Sequence, residues 1–344
     1  MKIIHTADLH LFSPMTANLS YDKAKIRNRE LFETFERMVD FANENGVGAF
    51  LIAGDMFDSV IVTPSMAEPV MTVIKNAPRI KFFYLTGNHD GGAEIKNTPD
   101  NLVIFKNGFN KVRYGDVTVG ALGDGGKSDE VLFDESGINI LMLHTDIAGD
   151  SEFPKLKGRN IDYIALGHIH SFSGGALDHR TKYAYCGCPE GRGYDECGEK
   201  GFVLIDSDSG RLNFKFIPFS KRVIKEVKID ITGLSDTSEV FSEAKNALAT
   251  EDCDSMINLV IEGKVKPENA INLSLIEEQF KKRFFAFRVT DKTALYYEAS
   301  DYIYDDTLKG EFIRHVAASD KYSEEDKLKI IETGLKALSG EALL

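Results

Sequence analysis

The chain has only four cysteines in 344 residues, too few for a disulfide framework, so a reducing, cytoplasmic location is expected. No apolar run approaches the roughly 20 residues that a membrane-spanning helix needs. Met1-Lys2-Ile3-Ile4-His5 enters a strand at once, which predicts no signal peptide. Internal repeats and low-complexity segments are absent. Basic residues are in deficit: 41 Lys and Arg stand against 54 Asp and Glu, a net charge of −13. That balance argues against a protein that grips nucleic acid by bulk electrostatics. It leaves a nuclease open, because bound divalent cations would offset carboxylates locally.

What is present is a repeating pattern of apolar runs with polar residues at their ends. The runs 2–7, 49–53 and 80–85 read as buried strands. Between them, 22–45 reads as a long helix with Leu31, Phe35, Met38 and Ala42 on one face and Gly46 just beyond. A second helix, 64–76, has Pro64 near its first turn. Open α/β sheets place their sites at the carboxyl ends of such strands. The short segments 102–105, 111–114 and 117–122 suggest antiparallel additions. Further strands are expected at 138–143 and 161–166, with 182–185, 201–205 and 212–217 closing a second sheet. The fold class is thus α/β: two sheets packed face to face, flanked by helices.

Residues 218–222 read as a boundary, giving a catalytic domain over 1–220. A small α/β capping domain is expected over 221–304, with strands at 223–231, 256–263 and 284–289 and helices at 237–249 and 270–282. A C-terminal helical segment over 305–344 follows, with helices at 305–318 and 324–338. The apolar stripe Leu328, Ile331, Leu335 and Leu338 suits packing back or binding a partner.

The strand ends collect a distinctive set: Asp8, His10, Asp55, Asn88, His144, His168 and His170. Mixed imidazole and oxygen donors suit Mn²⁺, Fe²⁺ or Zn²⁺ better than Ca²⁺ or a thiolate site. Seven side chains are too many for one tetrahedral ion and fit two ions sharing a bridge, for which Asp55 qualifies. In Asp8-Leu9-His10 and His168-Ile169-His170, alternate residues of an extended segment share a face. Two ions about 3.5–4 Å apart hold a hydroxide at neutral pH and clamp a phosphoryl oxygen. His89 is not needed as a ligand; beside Asp90 it can protonate a leaving alkoxide.

The ordered blocks Asp-x-His, Gly-Asp-x-x-Asp, Gly-Asn-His-Asp, His and Gly-His-x-His resemble the calcineurin-like metallophosphoesterase superfamily over about residues 1–220. The opening 4–10 and the segment Gly187-Cys188-Pro189-Glu190-Gly191-Arg192-Gly193-Tyr194-Asp195-Glu196 resemble more narrowly bacterial SbcD-like DNA repair exonucleases. So do 309–314 and 334–338. The resemblance implies that Asp8, His10, Asp55 and His170 hold one ion and Asp55, Asn88, His144 and His168 the other. It implies His89 as the acid, oriented by Asp90. It implies Mn²⁺-dependent phosphodiester hydrolysis, DNA as substrate and an SbcC-type ATPase as partner; a homodimer stays open. One departure concerns the second block, where some repair nucleases have His and this chain has Asp58.

The alternative is the same chemistry on a small substrate, as a cyclic-nucleotide phosphodiesterase or a phosphatase; a non-catalytic scaffold is a third reading. Arg192 is a candidate substrate contact. Cys186, Cys188 and Cys197 are a poor zinc set for want of a fourth partner. His5 reads as structural. Residues 281–288 interleave cations and aromatics, but a helix end followed by a core strand explains them as well. From 221 onward, 18 Lys and Arg face 24 Asp and Glu, so this region is no basic clamp.

Overall fold

The computed structural model describes residues 1–15, 19–90, 95–208, 211–266, 269, 271–296 and 302–338. They divide into two compact units, Met1–Ile224 and Lys225–Leu344. The first boundary thus falls at 224/225, and the C-terminal helices belong to the second unit.

The first unit begins with β1 (Lys2–Thr6), α1 (Tyr21–Glu44), β2 (Val47–Ala53), α2 (Pro64–Lys75), β3 (Lys81–Leu85) and β4 (Leu102–Phe105). It continues with β5 (Phe109–Tyr114), β6 (Val117–Leu122), β7 (Ile138–His144), β8 (Tyr163–Gly167), β9 (Ser173–Ala176) and β10 (Lys182–Tyr185). It closes with β11 (Gly201–Asp208) and β12 (Arg211–Pro218). Two six-stranded sheets result, ordered β12-β11-β1-β2-β3-β4 and β5-β6-β7-β8-β10-β9. The expected two-sheet α/β architecture is what the chain forms.

Two details differ from the sequence reading. Of the three short segments taken as antiparallel additions, only β5 and β6 pair that way; β4 runs parallel to β3, and β6 parallel to β7. And β11 and β12 extend the first sheet, β11 antiparallel to β1 and β12 antiparallel to β11, instead of closing the second. Alternation along β11 marks a buried face but not the neighbour that strand chooses.

Burial explains why the site-bearing strands read as continuous apolar runs. One face of the first sheet packs under α1 and α2, through Ile4, Phe50, Ile52, Phe82, Leu31 and Phe35. The other face, with Ile3, Leu51, Ala53 and Phe83, meets Ile140, Met142, Tyr163 and Ala165 of the second sheet. α1 also buries charge. Arg27 is fully buried beside Glu30, and its Nη2 donates to Glu190 Oε2 at 3.0 Å. Thr34 Oγ1 donates to Glu190 Oε1 at 2.9 Å.

In the second unit, β13 (Ile224–Asp230), α3 (Thr237–Ala247), β14 (Met256–Val265), α4 (Leu273–Lys281) and β15 (Ala286–Leu295) make a three-stranded sheet with two helices. The helix expected from residue 270 begins at Leu273; residue 270 lies outside the described residues. α5 (Leu308–Ala317) and α6 (Glu324–Leu338) pack around Ile313, Val316, Ile331 and Tyr302. Phe284 and Phe287 are core residues, Arg283 lies over the Phe284 ring at 4.7 Å, and Arg288 Nε donates to Asn258. The cation–aromatic interleaving at 281–288 is therefore packing. Among the described residues no helix is long and apolar enough to cross a membrane.

His5 is fully buried between the sheets, with Nδ1 3.0 Å from Tyr163 Oη. Burial pushes its pKa down to about 3. The folded chain therefore holds His5 neutral where the unfolded chain protonates it, and stability is full above pH ~6.5 and falls as pH drops toward 3. Urea titrations should show a loss of up to ~1.4 kcal/mol per pH unit from this residue below pH 6.5. His5→Gln should flatten that slope between pH 6.5 and 4.

Candidate metal centre

The ends of β1 and β2 stay in step beyond the strands themselves. The N–H groups of Asp8, His10 and Leu11 donate to the carbonyls of Gly54, Asp55 and Met56 at 3.0–3.1 Å. This places Asp8 and His10 beside Asp55. The backbone is forced to present them: Asp8, His10, Asp55 and His168 have φ of 52, 42, 47 and 95°. Left-handed backbone at non-glycine residues costs about 1–3 kcal/mol each and concentrates at functional sites.

Three groups of donors converge among the described residues: Asp8 with His10 and His170, Asp8 with Asp55 and His144, and His10 with Asp58 and His89, each within 4.8 Å. Asn88 joins through Oδ1, 2.9 Å from His144 Nε2. His168 is exposed. Its ring lies edge-on to that of His144 at 5.4 Å between centroids, and its backbone N–H donates to Asp8.

The protonation logic of this cluster calls for cations. His144 Nδ1 donates to the Ala53 carbonyl at 2.8 Å. Its Nε2 is then a lone pair, facing Asp55 Oδ2 at 3.2 Å and Asn88 Oδ1 at 2.9 Å. His10 Nδ1 is 3.1 Å from Asp58 Oδ1, and His170 Nδ1 is 2.7 Å from Glu196 Oε1. Their Nε2 atoms face each other at 3.4 Å, with Asp55 Oδ2 3.8 Å from one and Asp8 Oδ1 3.7 Å from the other. Acceptors facing acceptors in a buried place need a proton or a metal ion between them. The residues present thus fit divalent cations. Without metal a proton takes the place: burial opposes it at His144, but Asp55, Asp8 and the Ala53 carbonyl push that pKa up to about 9. For Asp55, burial raises the carboxyl pKa, yet His144, the His89 N–H and His10 bring it below the ordinary value.

Asp90 is not placed to orient His89. Its carboxylate accepts from the backbone N–H of Gly87 at 2.8 Å and of Phe57 at 3.0 Å, and from the Tyr84 hydroxyl. It is fully buried; burial pushes its pKa up against those hydrogen bonds. Asp90 folds back under the turn and ties it to the segment after β2. The His89 ring, half exposed, has Nδ1 3.0 Å from Asp58 Oδ1 instead. Asp58, three residues after Asp55, thus touches His10 and His89, and Arg192 Nη1 at 3.5 Å. Arg192, the candidate substrate contact, is engaged by Asp58 and Glu196. Sequence reasoning gave Asp58 and Glu196 no role, although each ends one of the quoted blocks. Tyr84 carried no signal beyond its place in a strand.

Gly87 has an ordinary φ; its need is space. A Cβ there would overlap Asp55 Oδ1 and stand 2.6 Å from the Asp55 nitrogen. At Gly54, a Cβ would run into the His144 ring.

A family model described as calcineurin-like phosphoesterase matches residues 1–172, half of the chain. The chain belongs to that family: it is a metal-dependent phosphoesterase with the dinuclear site typical of it. The Bacillus subtilis (strain 168) protein called "Uncharacterized metallophosphoesterase YhaO" is 25% identical over 298 residues, covering 76% of this chain and 72% of that protein. The crystal structure of a dimetal phosphatase from Danio rerio matches with a TM-score of 0.41 at 10% identity, over 62% of this chain and 95% of that one.

Gly87→Ala tests the construction of the site. It should displace the Asp55 carboxylate and lower phosphoesterase activity by at least ~100-fold, the scale expected for ~1 Å misplacement. Metal content measured by mass spectrometry should fall with it, while far-UV circular dichroism stays unchanged.

Proposed function

We propose that this chain is a phosphodiesterase acting on DNA ends, the nuclease subunit of an SbcCD-like pair, with Mn²⁺ as its working metal and an SbcC-type ATPase as partner. The convergence of acceptor atoms around Asp8 and Asp55 is the observation that supports the chemistry. Asp8, His10, Asp55 and His170 would hold one ion, and Asp55, Asn88, His144 and His168 the other. When bound, the pair supplies the positive charge that activates water and clamps a phosphoryl oxygen.

The chain's own groups then divide the work. Asp55 lies between the two sets, 3.8 Å from His10 Nε2 and 3.2 Å from His144 Nε2, which suits a bridging carboxylate. The His89 backbone N–H donates to Asp55 Oδ1 at 2.9 Å, so the turn that carries the acid is tied to Asp55. With Nδ1 against Asp58, His89 has Nε2 left to face the substrate and pass a proton to the leaving oxygen.

DNA as substrate is supported by the resemblance of 4–10 and 187–196 to SbcD-like exonucleases, and by a second unit that a small-molecule hydrolase has little need of. The net charge of −13 favours the second reading, a phosphatase or cyclic-nucleotide phosphodiesterase. Hydrolysis of linear duplex DNA and of a small phosphodiester, both with Mn²⁺ and with and without a coexpressed SbcC-type ATPase, separates them. DNA cleavage stimulated by the partner is expected; turnover of the small ester alone selects the second reading. In either case His89→Ala should keep both ions and lose about 10²–10⁴-fold in kcat. Wild-type turnover in that variant would remove His89 from the mechanism.

A further inference from the structure

We infer that Asp58, Arg192 and Glu196 form an outer ring that sets the orientation of His10 and His170, making the ion these two histidines hold the tighter of the pair. The inference rests on the ligand assignment proposed above.

The geometry separates the two metal positions by what stands behind their histidines. His10 Nδ1 meets the Asp58 carboxylate at 3.1 Å, and His170 Nδ1 meets the Glu196 carboxylate at 2.7 Å. A carboxylate accepts only, so each Nδ1 carries the hydrogen and each Nε2 is left to the ion. Arg192 links the two carboxylates. Its Nη1 is 3.5 Å from Asp58 Oδ1, its Nε and Nη2 are 3.2 and 3.1 Å from Glu196 Oε1, and its backbone N–H donates to Glu196 Oε2 at 2.7 Å. The side chains of Asp58, Arg192 and Glu196 are 15, 21 and 7% exposed, so water screens this ring little. Buried Lys200 adds a grip on the same ligand, with Nζ 2.6 Å from the His170 carbonyl.

Two carboxylates and one guanidinium leave a net negative charge behind His10 and His170. At the other position, His144 Nδ1 donates to the neutral Ala53 carbonyl at 2.8 Å. A carboxylate behind a ligating imidazole fixes its tautomer and raises its basicity, and removing such a partner typically costs 10–100-fold in metal affinity. A carbonyl fixes the tautomer without the charge. The ring therefore favours one ion over the other. It also casts Arg192 as a positioning residue that holds Asp58 and Glu196 in register.

The test uses the full chain, stripped with chelator and titrated with Mn²⁺ by calorimetry and by electron paramagnetic resonance. Two unequal steps are expected for the wild type. Glu196→Gln and Asp58→Asn, both isosteric, should each weaken the tighter step by ~10–100-fold while the weaker step stays in place. The spin-coupled pair signal should then need more Mn²⁺ to appear. Thermal melts of the metal-free variants should match wild type; a shifted melt with both metal steps unchanged overturns the ring. Equal weakening of both steps overturns it too, as does no weakening in either variant. A wild-type chain that takes up no Mn²⁺ overturns the ligand assignment instead.

Discussion

The first unit is organised around an unfavourable arrangement: acceptor atoms aimed at one another. Asp8, Asp55, Asn88 and the Nε2 atoms of His10, His144 and His170 converge at the ends of β1, β2, β3, β7 and β8. Left without cations, such a cluster must take up protons or come apart, which is why, against the opposing effect of burial, neighbouring carboxylates push His144 up to about 9. The scaffold makes the arrangement persist. Four of the donor residues sit on left-handed backbone, and glycines at 54 and 87 leave out the Cβ atoms that would fill the space. Strain of that kind is sustained only where its surroundings over-determine it. Here they do, because β1 and β2 are buried on both faces and their extensions remain hydrogen-bonded to each other.

Much of this was legible in the sequence because chemistry-bearing residues followed apolar runs too short for helices and too continuous for surface strands. The two sheets, the helices between the first strands and the convergence of Asp8, His10, Asp55, Asn88, His144 and His170 could be read from that juxtaposition. Partners across a turn could not. Asp90 adjoins His89 in sequence, yet successive side chains of a tight turn point in different directions, and this one folds inward to Tyr84 and the Gly87 and Phe57 N–H groups. Asp58 meets His89 where Asp90 accepts from the Phe57 N–H and ties that turn to the segment after β2, a tertiary contact with no pattern in one dimension. Glu196 lies 26 residues from His170, and nothing in its spacing announces the pair. The buried face of α1 was legible only in part, for a related reason. Its apolar stripe was visible, but Arg27 and Glu30 look like solvated charge until Glu190 is brought to them.

Glu190 and Glu196 together show what the segment after β10 does. Glu190 points back to α1, accepting from Arg27 and Thr34, and burial raises its pKa against those contacts. Glu196 points forward to His170; burial raises its pKa too, but His170 and Arg192 bring it down to about 2. One carboxylate anchors the segment to the helix layer, and the other carries that anchoring into the metal centre. A loose loop would leave His170 free to rotate and expose a lone pair in the wrong place. A regular strand would point alternate residues to opposite faces and could not hold Arg192 between Asp58 and Glu196. The irregular backbone at 187–200, tied down by buried charge at both ends, meets both demands. Positional accuracy at the metal centre is thus set as much by this segment as by the strand ends that carry the donors.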